Sequence, residues 1–80
     1  MNEQEARDAV HRAIGEVAPD VEPAELAGGA RLRQDLELDS LDFLRLIETV
    51  AQLTGVEVPD SDAGTVLTVG ELVSYVAEHG

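Results

Sequence analysis

The sequence predicts an all-α domain: a small bundle of three main helices plus one short third helix, with a long first loop. Three observations carry this. Three segments repeat their apolar residues at the helical period of about 100° per residue. Glycine, proline and capping residues stand where those segments begin and end. Only Val56-Glu57-Val58 alternates as a strand would, and it has no second run to pair with.

Eighty residues allow one domain and one small core, expected to span residues 1–80. Aliphatic side chains must fill it, because Phe43 and Tyr75 are the only aromatics. There is no cysteine, which excludes a disulfide framework and a thiolate metal site. Seventeen acidic residues face five basic ones, a net charge of −12. That balance argues against nucleic acid, whose phosphates would be repelled. It favours basic partners, with an attraction that salt weakens. A disordered acidic tail does not fit an apolar fraction of 44% arranged periodically. Self-repulsion should leave the free protein modestly stable. No apolar run approaches membrane-spanning length, and Met1-Asn2-Glu3-Gln4-Glu5 does not read as a signal peptide. A cytoplasmic protein is therefore expected; a monomer is expected as well.

The first helix is predicted over 3–17. Ala6, Ala9, Val10, Ala13, Ile14 and Val17 share its inner face, and His11 lies away from it as a solvated residue. Residues 18–38, with Pro19, Pro23, Gly28 and Gly29, form a long connection. A loop of this length needs either a short helical turn, around Pro23 to Leu26, or its own packing. Leu26, Leu32 and Leu36 are candidates to pin it.

The second helix is predicted over 40–54, with Asp39 as N-cap and Gly55 just past its end. Phe43, Leu46, Ile47, Val50 and Leu53 form its apolar face, with Leu44 and Ala51 on the flank. Leu41 falls on the polar side with Arg45, Glu48 and Gln52. Asp42–Arg45 and Arg45–Glu48 are spaced as i,i+3 pairs, worth about 0.2–0.5 kcal/mol each. A short third helix is expected over 61–66. Asp60-Ser61-Asp62-Ala63-Gly64 is no calcium loop, because glycine and threonine stand where an oxygen ligand and a glycine belong; no metal site is predicted. The last helix is predicted over 69–78, opened by the capping box Thr68-Val69-Gly70-Glu71. Val69, Leu72, Val73 and Val76 form its apolar face. Tyr75 lies off that stripe and is expected half-buried with its hydroxyl in water.

One stretch stands out chemically: Gln34-Asp35-Leu36-Glu37-Leu38-Asp39-Ser40-Leu41-Asp42. It sets one hydroxyl, Ser40, among four carboxylates, at the entrance of the second helix. No base is near it in sequence, since the only histidines are His11 and His79. Nearby negative charge also opposes an alkoxide. A nucleophilic serine needs the reverse, a bonded base and a positive hole for the oxyanion. Ser40 thus reads as a group that another protein's active site modifies. The exposed Leu41 beside it, rimmed by acids, reads as the apolar centre of a docking surface. The plainer reading of Asp39-Ser40 is an ordinary capped helix start.

The ordered set Asp35-Leu36-x-x-Asp39-Ser40-Leu41-Asp42, with Val56-Glu57-Val58-Pro59-Asp60, Thr68-Val69 and Tyr75-Val76 downstream, resembles the acyl carrier protein family. The resemblance covers about residues 32 to 76. It implies an acyl-carrier-like bundle with the same long first loop. It implies a covalent 4′-phosphopantetheine arm on Ser40, with Asp39 and Leu41 beside the attachment point. It implies space for an acyl chain between the helices. The partners would be a phosphopantetheinyl transferase and acyl-loading and acyl-processing enzymes with basic docking patches. Asp35, Leu41, Asp42, Arg45 and Glu48 would form the partner surface, with Asp35 and Asp39 aiding the transferase. The protein would carry acyl intermediates and have no catalytic residue of its own.

Three features depart from the family's pattern. Glu37 replaces a glycine often found before x-Asp-Ser-Leu, which bears on the loop conformation. Arg45 stands where an acid is common. Ala51-Gln52-Leu53 replaces an acidic run. These point to partners outside the standard fatty-acid set, in a polyketide or other specialised pathway. Asp39 points away from peptidyl carriers, which usually lack that aspartate. Two other classes compete: an unmodified acidic helical interaction module, and a hydrolase using Ser40 with His11 or His79. The second has no oxyanion-hole or elbow pattern around the serine.

Overall fold

Asn2 starts the first helix. Its side chain accepts the Glu5 amide at 2.8 Å, and Glu5 accepts the Asn2 amide in return at 3.2 Å. This capping box satisfies two amides that a helix end leaves without partners. Helix α1 then runs Glu3–Val17 in a computed structural model that describes residues 1–80, the Pro23 side chain excepted. A 3₁₀ turn follows at Pro23–Glu25, then α2 at Ser40–Thr54, α3 at Asp60–Ala63 and α4 at Val69–His79. Among the described residues there is no strand, only an isolated bridge between Arg31 and Thr68. The fold is an all-α bundle of three main helices and one short third helix.

Helix α1 packs against both α2 and α4. Its inner face buries Ala6, Val10, Ala13 and Ile14. The small alanines let the partner helices approach closely, and Ile14 fills the space between. Helix α2 contributes Leu46, Ile47 and Val50, and α4 contributes Val69, Leu72, Val73 and Val76. Phe43 and Ala51 are half-buried at the margin. Leu53 departs from the expected apolar face: it is 39% exposed. It sits at the edge of the stripe in the last turn of α2. A helical wheel gives its direction and not what lies opposite.

The long first loop uses both of the devices expected of it. It holds the 3₁₀ turn, shorter by one residue than the segment ending at Leu26. It is also packed. Leu32 and Leu36 are buried, Leu26 is half-buried, and Leu38 is a further buried anchor that the sequence reading did not name. Backbone bonds then tie the loop to the start of α4. Leu32 donates to the Leu67 carbonyl at 2.9 Å, Val69 to Ala30 at 3.0 Å and Gly70 to Gly28 at 2.9 Å. The first amides of α4, which have no partner within the helix, are satisfied by loop carbonyls, and the Leu32 amide is satisfied in return by Leu67.

Two helix details correct the sequence reading. The third helix occupies Asp60–Ala63 and not 61–66. Asp62 and Ala63 both donate to the Pro59 carbonyl at 2.9 Å, so the helix begins one residue early. After Ala63 the chain tightens into three-residue turns, Thr65 to Asp62 and Val66 to Ala63, which brings Val66 into the core. The pairs Asp42–Arg45 and Arg45–Glu48 do not close. Among the described residues the ion pairs are Arg7–Glu3 at 2.9 Å and Arg31–Asp35 at 3.1 Å. Both pairs that close are spaced i,i+4, and exposed pairs of this kind gain too little for every candidate to form. Helix α2 ends as expected on Gly55, at φ 77°, whose amide donates to Ala51 at 2.8 Å.

Tyr75 is half-buried, but its hydroxyl is not left to water. It donates to Asp62 Oδ2 at 2.7 Å and so ties α4 to α3. The carboxylate beside it raises the Tyr75 pKa above its ordinary value, chiefly through that hydrogen bond. The Tyr75 ring stacks on His79, with centroids 4.2 Å apart.

Candidate functional site

Leu36 and Leu38 point into the core and Glu37 between them points out. Placing both leucines inward and then starting a helix outward demands a sharp turn. Glu37 makes it by adopting φ 58°, the left-handed region. The loop therefore takes a glycine-type conformation without the glycine, and a non-glycine residue there carries a backbone cost. The next residue but one, Asp39, is extended and caps α2, its Oδ1 accepting the Asp42 amide at 2.8 Å. Ser40 follows as the first helical residue, exposed.

The surroundings of the Ser40 hydroxyl are less anionic than the sequence suggests. Arg33 donates from Nη2 to Ser40 Oγ at 2.8 Å. Asp35, four residues on from Arg31, is spoken for by it. The Arg31 amide and Nε donate to Asp35 Oδ2 at 2.8 and 3.2 Å, and Nη2 donates to Oδ1 at 3.1 Å. The Arg31 side chain and then its amide hold the Asp35 carboxyl below its ordinary pKa, and Asp35 raises that of Arg31. Asp35 thus ties the loop to itself at the edge of the expected partner surface. Asp39 is likewise engaged as a cap.

Leu41 projects beside Ser40, 63% exposed, and Arg45 and Glu48 are exposed further along α2, with Asp42 half-buried. Leu44, also exposed, extends the apolar part of this surface. A hollow of about 400 Å³ is lined by Arg31, Arg33, Gln34 and Leu67, and so shares Arg33 with the Ser40 hydroxyl. A second, larger hollow of about 650 Å³ runs between α1 and α4, past Arg7, His11, Leu26 and Tyr75. His11 thus lies on the α1–α4 side, and His79 stacks on Tyr75. Neither histidine bonds Ser40, so the serine–histidine pairing that a hydrolase needs is not assembled among the described residues.

Arg33 is the residue that sequence reasoning missed. A signal for it exists: Arg31 and Arg33 place two of the chain's five cations within the nine residues before Ser40, in a protein of net charge −12. What the sequence does not show is which arginine turns to Asp35 and which to the hydroxyl.

The bundle and its site define a class: a small acidic helical domain that presents one hydroxyl at a helix entrance. A family model described as "Phosphopantetheine attachment site" matches residues 8–76. The chain is 40% identical over 76 residues to an acyl carrier protein of Rubrobacter xylanophilus, covering 91% of this chain and 94% of that one. It is 43% identical over 47 residues to an acyl carrier protein of Lactobacillus johnsonii, 59% of each chain. It is 39% identical over 59 residues to one of Zymomonas mobilis, 74% of this chain and 76% of that one. The chain belongs to the acyl carrier protein family, and its prosthetic group is 4′-phosphopantetheine. Among the described residues no helix is long and apolar enough to cross a membrane.

Proposed function

We propose that residues 1–80 form one carrier domain, with its 4′-phosphopantetheine arm on Ser40. The observation that carries this is the placement of Ser40. Its hydroxyl is exposed at the start of α2, inside the matched segment, and bonded to a guanidinium and not to a base. That arrangement suits an acceptor. Ser40 supplies the oxygen that becomes esterified to phosphorus as the donor's phosphoanhydride P–O bond breaks. The hydroxyl proton passes to a base of the modifying enzyme, because the side chain brought to Oγ here is itself a proton donor.

When attached, the arm supplies a terminal thiol on which acyl groups are held as thioesters; the chain has no cysteine for that task. The protein's own residues do the rest. Asp39 and the buried Leu36 and Leu38 fix the entrance of α2 so that Ser40 stays accessible. Leu41, Asp42, Arg45 and Glu48 offer a mixed apolar and charged face to partner enzymes with basic patches, and Asp35 borders it. The surplus of acids speeds encounter with such partners. The protein is a carrier and not a catalyst, acting as a cytoplasmic monomer in fatty-acid, polyketide or related specialised biosynthesis. Arg45 and Ala51-Gln52-Leu53 favour partners outside the standard fatty-acid set.

Co-expression with a promiscuous phosphopantetheinyl transferase, followed by intact-mass measurement, tests the assignment. The expected result is the mass gain of one arm on the parent chain and none on Ser40→Ala. No gain, while other carriers in the same preparation are fully converted, would leave an unmodified acidic interaction module as the better reading.

A further inference from the structure

Arg33 is placed oddly for a cation in so acidic a protein. Seventeen carboxylates are available. Arg31, two residues away, takes one of them in a forked pair. Arg33 instead bonds a neutral hydroxyl, and among the described residues it closes no ion pair. A guanidinium with a neutral acceptor keeps its charge uncompensated and most of its donors free. Arg33 also lines the hollow shared with Arg31, Gln34 and Leu67, and Leu67 there is 56% exposed.

We infer that Arg33 is the receptor for the phosphodiester at the root of the arm, and that it turns the arm toward this hollow and away from Leu41. The inference rests on the attachment of the arm at Ser40. Esterification removes the Oγ proton and makes that oxygen a poorer acceptor. In exchange it places two non-bridging oxygens, which share one negative charge, on the new phosphorus. A guanidinium already at 2.8 Å from Oγ reaches those oxygens with a small side-chain movement and no change in the loop. Exchanging a neutral acceptor for an anionic one strengthens the bond, and the planar fork of arginine matches two phosphate oxygens where lysine offers a point charge. The same contact offsets the added negative charge, which would otherwise sit against Glu37, Asp39 and Asp42. Arg33 is a positioning residue: it sets the direction in which the arm leaves the protein, and Arg31, held by Asp35, keeps the floor of the hollow in place.

The test uses the modified protein, with modification first established by mass, so that a failure at Ser40 is seen separately. In the parent chain, the Arg33 side-chain N–H signal, one of only five arginine signals, is followed by nitrogen-resolved NMR before and after modification. It is expected to shift and to exchange more slowly with water once the arm is on. Phosphorus NMR of the modified chain is expected to show a resonance that moves toward that of a free phosphodiester in Arg33→Gln, moves only partway in Arg33→Lys, and stays put in Arg45→Gln. The melting temperature is expected to fall on modification by more in Arg33→Gln than in the parent. An unchanged Arg33 signal in the modified parent overturns the inference even if Arg33→Gln accepts no arm. So does a phosphorus resonance that is the same in parent and Arg33→Gln.

Discussion

The amide of Gly70 donates to the carbonyl of Gly28 at 2.9 Å, and a Cβ added to Gly70 would stand 2.9 Å from that same oxygen. The long first loop crosses the entrance of α4 with no room for a side chain between them.

An alanine at Gly70 should therefore destabilise the protein, by about 1–3 kcal/mol as for other overpacked sites. Helix propensity alone would favour alanine by up to about 1 kcal/mol, so the clash with backbone decides the sign. Gly15, inside α1 with nothing within 4 Å of its Cβ position, is the control. Gly15→Ala should stabilise by about 0.5–1 kcal/mol. Denaturant unfolding of the two variants beside the parent reads both. A stable Gly70→Ala would mean that the loop and α4 are not in contact in solution.

Glu37 sits at φ 58° while Gly55 sits at φ 77°. The left-handed conformation costs a residue with a side chain about 1–2 kcal/mol, and glycine gives back about 0.4–1 kcal/mol through the unfolded chain. Glu37→Gly should then be net stabilising, by up to about 1 kcal/mol, and Glu37→Val should destabilise. Gly55→Ala should lower stability by about 1 kcal/mol. Equal melting temperatures for the three variants and the parent would count against the turn geometry at both positions.

Tyr75 must keep its proton to donate to Asp62. Its folded pKa is raised, so the contribution of this bond is whole below the ordinary tyrosine value and is lost as pH rises through the folded one. The chain has one tyrosine and no tryptophan, so tyrosinate absorbance reports this group alone. The titration midpoint should lie above that of a free tyrosine, and Asp62→Ala should bring it back. An ordinary midpoint in the parent would show that α3 and α4 are not tied at this point.

Acidic groups crowd the whole surface at net −12. Screening by salt, or pairing with millimolar magnesium, should raise the melting temperature. For a domain of this size each kcal/mol of relief reads as about 4–8 °C. A thermal scan over increasing salt measures it, and a flat response would show that self-repulsion does not limit stability.

Much of this protein is legible in short windows of sequence. The burial of Val10, Ile14, Leu46, Val50 and Leu72 follows from their helical spacing. Asp39, Thr68 with Glu71, and Gly55 mark helix ends because each meets a backbone group within a few residues. The exposed hydroxyl of Ser40 follows from the cap before it. Glu37 is different: its identity argued against the left-handed turn, and the burial of both Leu36 and Leu38 imposed it.

What the sequence by itself determined was the order of the helices, their inner faces and the exposed Ser40 hydroxyl at a helix entrance, because helix period and capping are local physics. What only the tertiary structure decided was who meets whom across the loops: Arg33 with Ser40, Tyr75 with Asp62, Gly28 with Gly70, Leu38 inside and Leu53 outside. Those pairings depend on the path of the first loop and on how α3 tightens after Ala63. That path is chosen by the packing of the whole core, which no local window contains.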